Sequence, residues 1–267
     1  MKIVLTGSSS GIGEFLAGAL ARAGHDVCGL ARSQSEGFGF RCDVSDWEAV
    51  QSCGEKIAAK WNTVDALICC AGIQGPIGAA MEIDPPAWRQ TLAMNLDGTF
   101  FPIRALHLLL KKSARRAKVI CFSGGGATAP RANFTAYGVA KTGVVRLVET
   151  LAAEWRGEAR DINAIAPGAI FTRMTEQVLA SGEALAGADE FSSAAKLPRD
   201  NSAKLDRVLG LVEFLISQAS DGISGRLISA QWDAWQDLPA RKVELMDSDI
   251  YTLRRIMPAD RGKNWTS

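Results

Sequence analysis

The sequence is short of most marks of a specialised class. Of its 267 residues only two are histidine and two are tyrosine, and 30 Lys and Arg set against 29 Asp and Glu leave a net charge of +1. A chain so close to neutral, with no long basic run, carries no electrostatic footprint for nucleic acid. No uninterrupted apolar stretch approaches the roughly 18 residues of a spanning helix, so no membrane partner is expected. The opening MKIVLTG shows no charged region, apolar core and cleavage site in series, but enters an apolar strand at once. The six cysteines, at 28, 42, 53, 69, 70 and 121, lack the CxxC spacings of a zinc site. No metal is expected, and all six are read as reduced, buried, small apolar residues of a cytoplasmic protein. Adjacent Cys69 and Cys70 would face opposite sides of a strand. His25 and His107 stand beside no motif and are read as structural or exposed.

What the chain does have is 47% apolar content in an alternating pattern. Short β-rich runs (2–6, 26–31, 39–42, 66–70, 118–123, 162–166, 226–230) alternate with helical patterns near 11–23, 45–60, 86–112, 134–156 and 203–218. Several strands are almost continuously apolar, as parallel strands covered on both faces are. The expectation is an α/β fold: a doubly wound, seven-stranded, parallel, Rossmann-like sheet with right-handed crossovers. Residues 1–230 are read as one dinucleotide-binding and catalytic domain. Residues 231–267 form an extension, with Trp232, Trp235, Trp265, Arg254 and Arg255, too aromatic for a disordered tail. It is expected to pack on the domain or on a neighbouring subunit. The link from Arg32 to Asp43 is too short for a crossover helix and should be mostly loop.

Thr6–Gly13 (TGSSSGIG) joins the first strand to the first helix. Gly7, Gly11 and Gly13 remove side chains where the backbone must turn tightly and approach a pyrophosphate. The helix N-terminus that follows offers free N–H groups to the phosphates. At the end of the second strand, an acidic residue would accept hydrogen bonds from ribose hydroxyls. Here Ala31 and Arg32 stand there, a neutral residue and a guanidinium, which suit a 2′-phosphate. NADP(H) is therefore favoured, with NAD(H) possible.

Tyr137 and Lys141, in YGVAK, share a face of the helix expected over 134–156. A free tyrosine has a pKa near 10, about three too high for a base at pH 7. A nearby cation lowers an acid's pKa by roughly 1–3. The lysine is therefore expected to lower the phenol's proton affinity, so that it can give a proton to a carbonyl oxygen or take one from an alcohol.

Together these segments resemble the short-chain dehydrogenase/reductase family over about residues 1–230. The resemblance rests on Thr6–Gly13, Asp43–Val44, Ala71–Gly72, Asn95, Tyr137–Lys141 and Pro167–Gly168 through Thr172. It implies a dinucleotide held by Gly7, Ser9, Ser10, Gly11, Ile12, Gly13, Arg32, Asp43, Val44, Ala71, Gly72, Tyr137, Lys141, Pro167, Gly168, Ile170 and Thr172. Asp43 should lie beside the adenine, and Lys141 should bond the nicotinamide ribose. Asn95 should hold a relay water behind the lysine. The residues around Ile170 and Thr172 should hold the carboxamide. Residues 173–201 fall at the family's substrate lid and read as a mobile cover.

Two departures stand out. The family's serine about 13 residues before the tyrosine falls on Gly124, with Ser123 one residue earlier. Ser123 is expected to reach the site if the glycines let the loop bulge. The family's Asn-Asn-Ala-Gly reads Cys69–Cys70–Ala71–Gly72. The implied activity is NADP(H)-dependent interconversion of a carbonyl and a secondary alcohol on a small molecule, catalysed by Tyr137, Lys141, Asn95 and Ser123. SGGGAT, LISAQWDAW and YTLRRI resemble a branch associated with surface-polysaccharide or nucleotide-sugar pathways, which points to a keto-sugar or sugar nucleotide. The alternatives are a 3-oxoacyl-carrier reductase and a dinucleotide-binding sensor that has lost catalysis. The family's dimer-forming helices, near 86–112 and 134–156, imply a homodimer or homotetramer.

Overall fold

A computed structural model describes residues 1–33 and 37–265. Seven parallel strands form one sheet in the order β3-β2-β1-β4-β5-β6-β7. They are β1 (Lys2–Thr6), β2 (Asp26–Ala31), β3 (Gly39–Arg41), β4 (Ala66–Cys69), β5 (Ala117–Phe122), β6 (Arg160–Ala166) and β7 (Leu227–Ser229). This is the expected Rossmann-like arrangement. The strand order reverses between β1 and β4, which opens a crevice at the carboxyl ends of the strands. Residues 34–36 of the Arg32–Asp43 link lie outside the described residues.

Period-two alternation divides each strand between two cores. Val4 and Cys69 face one core, and Ile3, Leu5 and Ile68 face the other. The first core is closed by α2 (Trp47–Lys60), α4 (Gly98–Lys111) and α5 (Thr135–Glu154), through Val50, Ile57, Ile103, Leu106, Val144 and Val148. The second is closed by α1 (Gly11–Arg22) and α8 (Ser202–Ile216), through Leu16, Leu20, Val208, Leu211 and Leu215. Cys70 packs against this second core, on the face opposite Cys69.

Two expected segments differ in detail. The helix read over 86–112 is α3 (Pro85–Leu92) and α4, joined through a π-helical turn at Ala93–Asp97. Such bulges cluster at functional sites, and this one carries Asn95. The cover at 173–201 folds into α6 (Arg173–Ala186) and α7 (Ala188–Ala195). Gly182, at φ 76° and ψ 166°, interrupts α6, and Gly187, at φ 85°, separates it from α7. These helices pack through Val178, Ala186 and Ala194 onto Phe134, in a small cluster separate from both main cores.

The extension packs along β7. Trp235 is buried and stacks on Phe214 at 5.9 Å, while Leu238 and Leu245 join the second core, the latter from α9 (Lys242–Met246). Leu227 donates its backbone N–H to the Tyr251 carbonyl at 2.8 Å, and Ser229 donates its own to the Asp233 carboxylate at 2.6 Å. Both N–H groups lie on the outer edge of β7, so the chain closes its own sheet margin. Buried Arg226 donates to the carbonyls of Ser248 and Ile250. Arg254 pairs with Asp249 and Asp260, whereas Trp232 and Trp265 stay exposed.

Candidate active site

The glycine turn follows β1 and leads into α1, whose first residue is Gly11. Gly7 has φ 76°, and a Cβ there would sit 2.8 Å from the Ala71 Cα. A Cβ on Gly13 would meet the Gly7 carbonyl oxygen at 2.2 Å. Neither position admits a side chain, and Gly11, at φ 57°, faces the methyl group of Thr172. Ser10, the residue before α1, makes no side-chain cap, which leaves the first N–H groups of the helix to a ligand. Thr6 ties the turn to β4 by accepting hydrogen bonds from the N–H groups of Cys70 and Ala71, each at 3.1 Å.

At its carboxyl end, β2 finishes on buried Ala31, and Arg32 and Ser33 are exposed. Ser33 donates its hydroxyl to that of Ser9 at 2.8 Å. The Asp43 carboxylate accepts from the backbone and hydroxyl of Ser45, at 3.0 and 2.6 Å, in an Asx turn. Asp46 caps α2 instead. Val44 is buried, and a Cβ on Gly98 would lie 2.7 Å from its methyl group.

Three chemical groups gather beyond β4 and β5. Asn95 accepts from the Ile73 N–H at 3.3 Å and donates to the carbonyls of Ile73 and Thr91 at 3.0 and 2.9 Å. A Cβ on Gly72 would lie 2.7 Å from the Asn95 amide oxygen and 3.5 Å from the Lys141 amine. That glycine lets the two side chains converge on one backbone. The Lys141 amine is buried and donates to the Phe122 carbonyl at 2.9 Å. Burial pulls its pKa down from 10.5 to about 8. The amine lies 5.6 Å from the centre of the Tyr137 ring.

The phenol differs from the sequence expectation. Burial is the dominant influence on Tyr137 and pushes its pKa above the ordinary value of 10. The guanidinium of Arg131, 6.0 Å from the ring centre, works against that rise, and Cys70 adds to it. Desolvation of the phenolate outweighs the guanidinium near it, a balance the i, i+4 spacing alone does not show.

Ser123 also departs from the expectation that it reaches the site. Its hydroxyl donates to the Lys141 backbone carbonyl at 3.2 Å, and the side chain is buried against α5. The phenol lies instead against Gly124.

The loop after β6 is held by side chains along its length. Gln231 donates to the Pro167 carbonyl at 3.0 Å, and Lys204 to the Ala169 carbonyl at 2.7 Å. Thr175 donates to the Ile170 carbonyl at 3.0 Å, and the Asn201 amide bonds both the N–H and the carbonyl of Phe171, at 2.9 and 2.6 Å. Gly168 has φ 83°, and a Cβ there would strike the Gln231 side chain at 2.4 Å. Thr172 precedes α6, and Ile170 is buried.

Comparison with known proteins finds a match over residues 7–231 to the family described as Enoyl-(Acyl carrier protein) reductase. The chain belongs to the short-chain dehydrogenase/reductase family. This short-chain dehydrogenase/reductase is 29% identical over 238 residues to the D-threitol dehydrogenase of Mycolicibacterium smegmatis, an alignment covering 83% of this chain and 88% of that one. It is 27% identical over 236 residues to the 3-oxoacyl-(acyl-carrier-protein) reductase FabG of Escherichia coli, covering 84% and 93%. A solved short chain dehydrogenase from Shigella flexneri, complexed with NADP, aligns at a TM-score of 0.71 and 25% identity, covering 86% of this chain and 96% of that one. As a family member the protein is a nicotinamide-dependent oxidoreductase of alcohol and carbonyl groups. The side-chain-free cradle of Gly7 and Gly13 and the uncapped start of α1 fit the dinucleotide that this activity requires.

Several residues that shape this site carry no local sequence signal. Asn201 and Gln231 lie 30 and 64 residues from the backbone groups they hold, and Arg131 lies 59 residues from its partner Glu190. Thr6 opens the Thr6–Gly13 turn, but no neighbouring residue signals that its hydroxyl holds Cys70 and Ala71, 64 and 65 residues away. No helix among the described residues is long and apolar enough to cross a membrane.

Proposed function

We propose that the protein interconverts a carbonyl and a secondary alcohol with NADP(H), using Tyr137 as proton donor and acceptor. A bound nicotinamide supplies or accepts the hydride. The reading rests above all on the convergence of Lys141 and Asn95 beside Gly72, next to the glycine cradle, with the Lys141 amine 5.6 Å from the centre of the Tyr137 ring. The phenol, kept protonated by burial, donates at the substrate oxygen in the reducing direction and accepts there in the oxidising one. Lys141, with its proton loosely held, takes up the charge change behind the phenol, and Asn95 holds the backbone of Ile73 in place beside it. Ser123 acts through the backbone of α5. With glycine at 124, polarising the substrate oxygen falls to the phenol.

NADP(H) is the favoured nucleotide because β2 ends on neutral Ala31, followed by exposed Arg32 and the Ser33–Ser9 hydroxyl pair, donors that suit a 2′-phosphate. Asp43 and Val44 would border the adenine, with Ile12, Pro167, Gly168, Ile170 and Thr172 toward the nicotinamide. The substrate class is a keto-sugar or sugar nucleotide, a reading supported by the likeness to a dehydrogenase of D-threitol, a polyol. A 3-oxoacyl thioester is the second reading, supported by the likeness to FabG. The exposed Phe100, Leu108 and Val139 on α4 and α5 suit a homodimer or homotetramer, and six cysteines free of disulfides suit a cytoplasmic setting.

Keto-sugars and β-ketoacyl thioesters assayed side by side with NADPH and NADH test the proposal. NADPH-dependent reduction of a keto-sugar is expected, with Tyr137→Phe slower by about 10²–10⁴ and still binding nucleotide. Equal turnover in the parent and Tyr137→Phe would remove the phenol from the reaction, and no turnover of any carbonyl by either, with nucleotide still bound, would favour a binding-only sensor.

A further inference from the structure

Arg131 belongs to the loop between β5 and α5, six residues before the phenol it influences. Its guanidinium makes a two-pronged ion pair with Glu190 on α7: Nε to Oε1 at 2.7 Å and a terminal nitrogen to Oε2 at 2.8 Å. The same guanidinium lies 3.8 Å from the centre of the Phe134 ring. Phe134 is fully buried and is the residue on which α6 and α7 pack. Beside this contact, Gly78 donates its N–H to the Asn133 carbonyl at 2.9 Å. The segment over residues 173–195 thus has its own small apolar cluster, a glycine break within it and another at its middle. A unit with so few buried contacts of its own opens at a lower free energy than the main cores do. A bidentate pair between a planar guanidinium and a carboxylate is directional, and here both groups are partly shielded.

We propose that Arg131 is a positioning residue with two tasks: it latches the α6–α7 cover shut through Glu190, and it sets the charge beside the ring of Tyr137. This deepens the proposed function, because it concerns the same phenol. The groups that bear on the phenol are Arg131 from the loop, Cys70 beyond β4 and Lys141 from its own helix. Of these, Arg131 is tied to the cover. The pair therefore couples closure over the substrate to the proton donor.

Tyr137 and Tyr251 are the only tyrosines in the chain, so a Tyr251→Phe protein reports the ionisation of Tyr137 by phenolate absorbance, without any substrate. In that background, Arg131→Met should raise the Tyr137 titration and Glu190→Gln should lower it, because the guanidinium is then no longer offset. Subtilisin cleavage within residues 173–201, mapped by mass spectrometry, should quicken about five-fold in both variants. The exchange Arg131→Glu with Glu190→Arg should restore protection of the cover while leaving the phenol titration high. Cleavage at the parental rate in Glu190→Gln, a substitution on the partly exposed α7 that leaves the cores intact, overturns the latch. An unmoved titration in Arg131→Met overturns the electrostatic task. Neither readout uses turnover, so failure here is distinguishable from failure of the proposed reaction.

Discussion

The phenol oxygen of Tyr137 lies 2.7 Å from the point where a side chain on Gly124 would place its Cβ. Only glycine leaves that space to the phenol. Gly124→Ala should therefore push the end of the Tyr137 side chain aside and leave the backbone in place. The stability change should stay within about 1 kcal/mol, because the group displaced is a side-chain tip. Turnover should fall by ten-fold or more, up to about 10² for a displacement near 1 Å. Thermal melts and steady-state kinetics together check this. Full activity in the alanine variant would mean that the proton donor works from another position.

Lys141 gives the protein a pH signature. Its pKa is 10.5 when exposed and about 8 in the folded state, so the unfolded chain binds the proton more tightly than the native one. Stability from this group therefore rises with pH between about 8 and 10.5, by up to roughly 3 kcal/mol over the whole interval. Buried thiols such as Cys28 and Cys70, raised to about 12, oppose the rise in its upper part. The difference between the parent and Lys141→Met isolates the lysine. The change in melting temperature from pH 8 to pH 10 should be more positive in the parent than in the variant. Equal changes would mean that the amine is not desolvated in the fold.

Much of the fold was legible because parallel strands buried on both faces leave apolar runs, and the glycine turn and YGVAK lie within single segments. The ionisation of Tyr137 was not legible, because its sign depends on burial, which adjacent residues do not encode. Ser123 was misplaced for a similar reason: its acceptor is the Lys141 carbonyl, 18 residues away. The cover at 173–201 read as mobile from its small residues and glycines, yet those alanines and Val178 supply the faces that fold it onto Phe134. The π-helical turn at Asn95 lay inside a segment that reads as one helix, because a single five-residue turn has no residue signature of its own.

On the proposed reading, Arg32 separates the two nucleotides by charge. In Arg32→Glu a carboxylate replaces the guanidinium beside the Ser33–Ser9 pair. It should repel a 2′-phosphate and accept from ribose hydroxyls. The ratio of kcat/KM for NADPH over NADH should fall by about ten-fold or more. A ratio that stays constant would assign discrimination elsewhere and leave Arg32 an ordinary surface residue.

Asn201 closes both polar groups of Phe171 with one amide. Asn201→Ala strands that N–H and carbonyl and should cost about 1–2 kcal/mol of stability. If the loop holds the nucleotide, KM for NADPH should rise several-fold while kcat at saturation changes less. Asn201→Asp, which keeps the acceptor for the Phe171 N–H and loses the donor, should fall between the two. A loss confined to stability would make Asn201 a structural brace with no hold on the nucleotide.

The extension makes its own prediction through β7. Deleting residues 247–267 removes the Tyr251 carbonyl from Leu227 and two carbonyls from the buried guanidinium of Arg226. An edge N–H then faces solvent, and a charge is left with few partners, a cost of several kcal/mol for a buried ionised donor. The melting temperature should drop, and the truncated chain should associate with rising concentration on size exclusion. Arg226→Met in the truncated chain should recover part of that stability, since it removes the stranded charge. A truncated chain with unchanged melting and unchanged hydrodynamic size would show that the edge of β7 needs no cover, and that the tail lies there without sealing it.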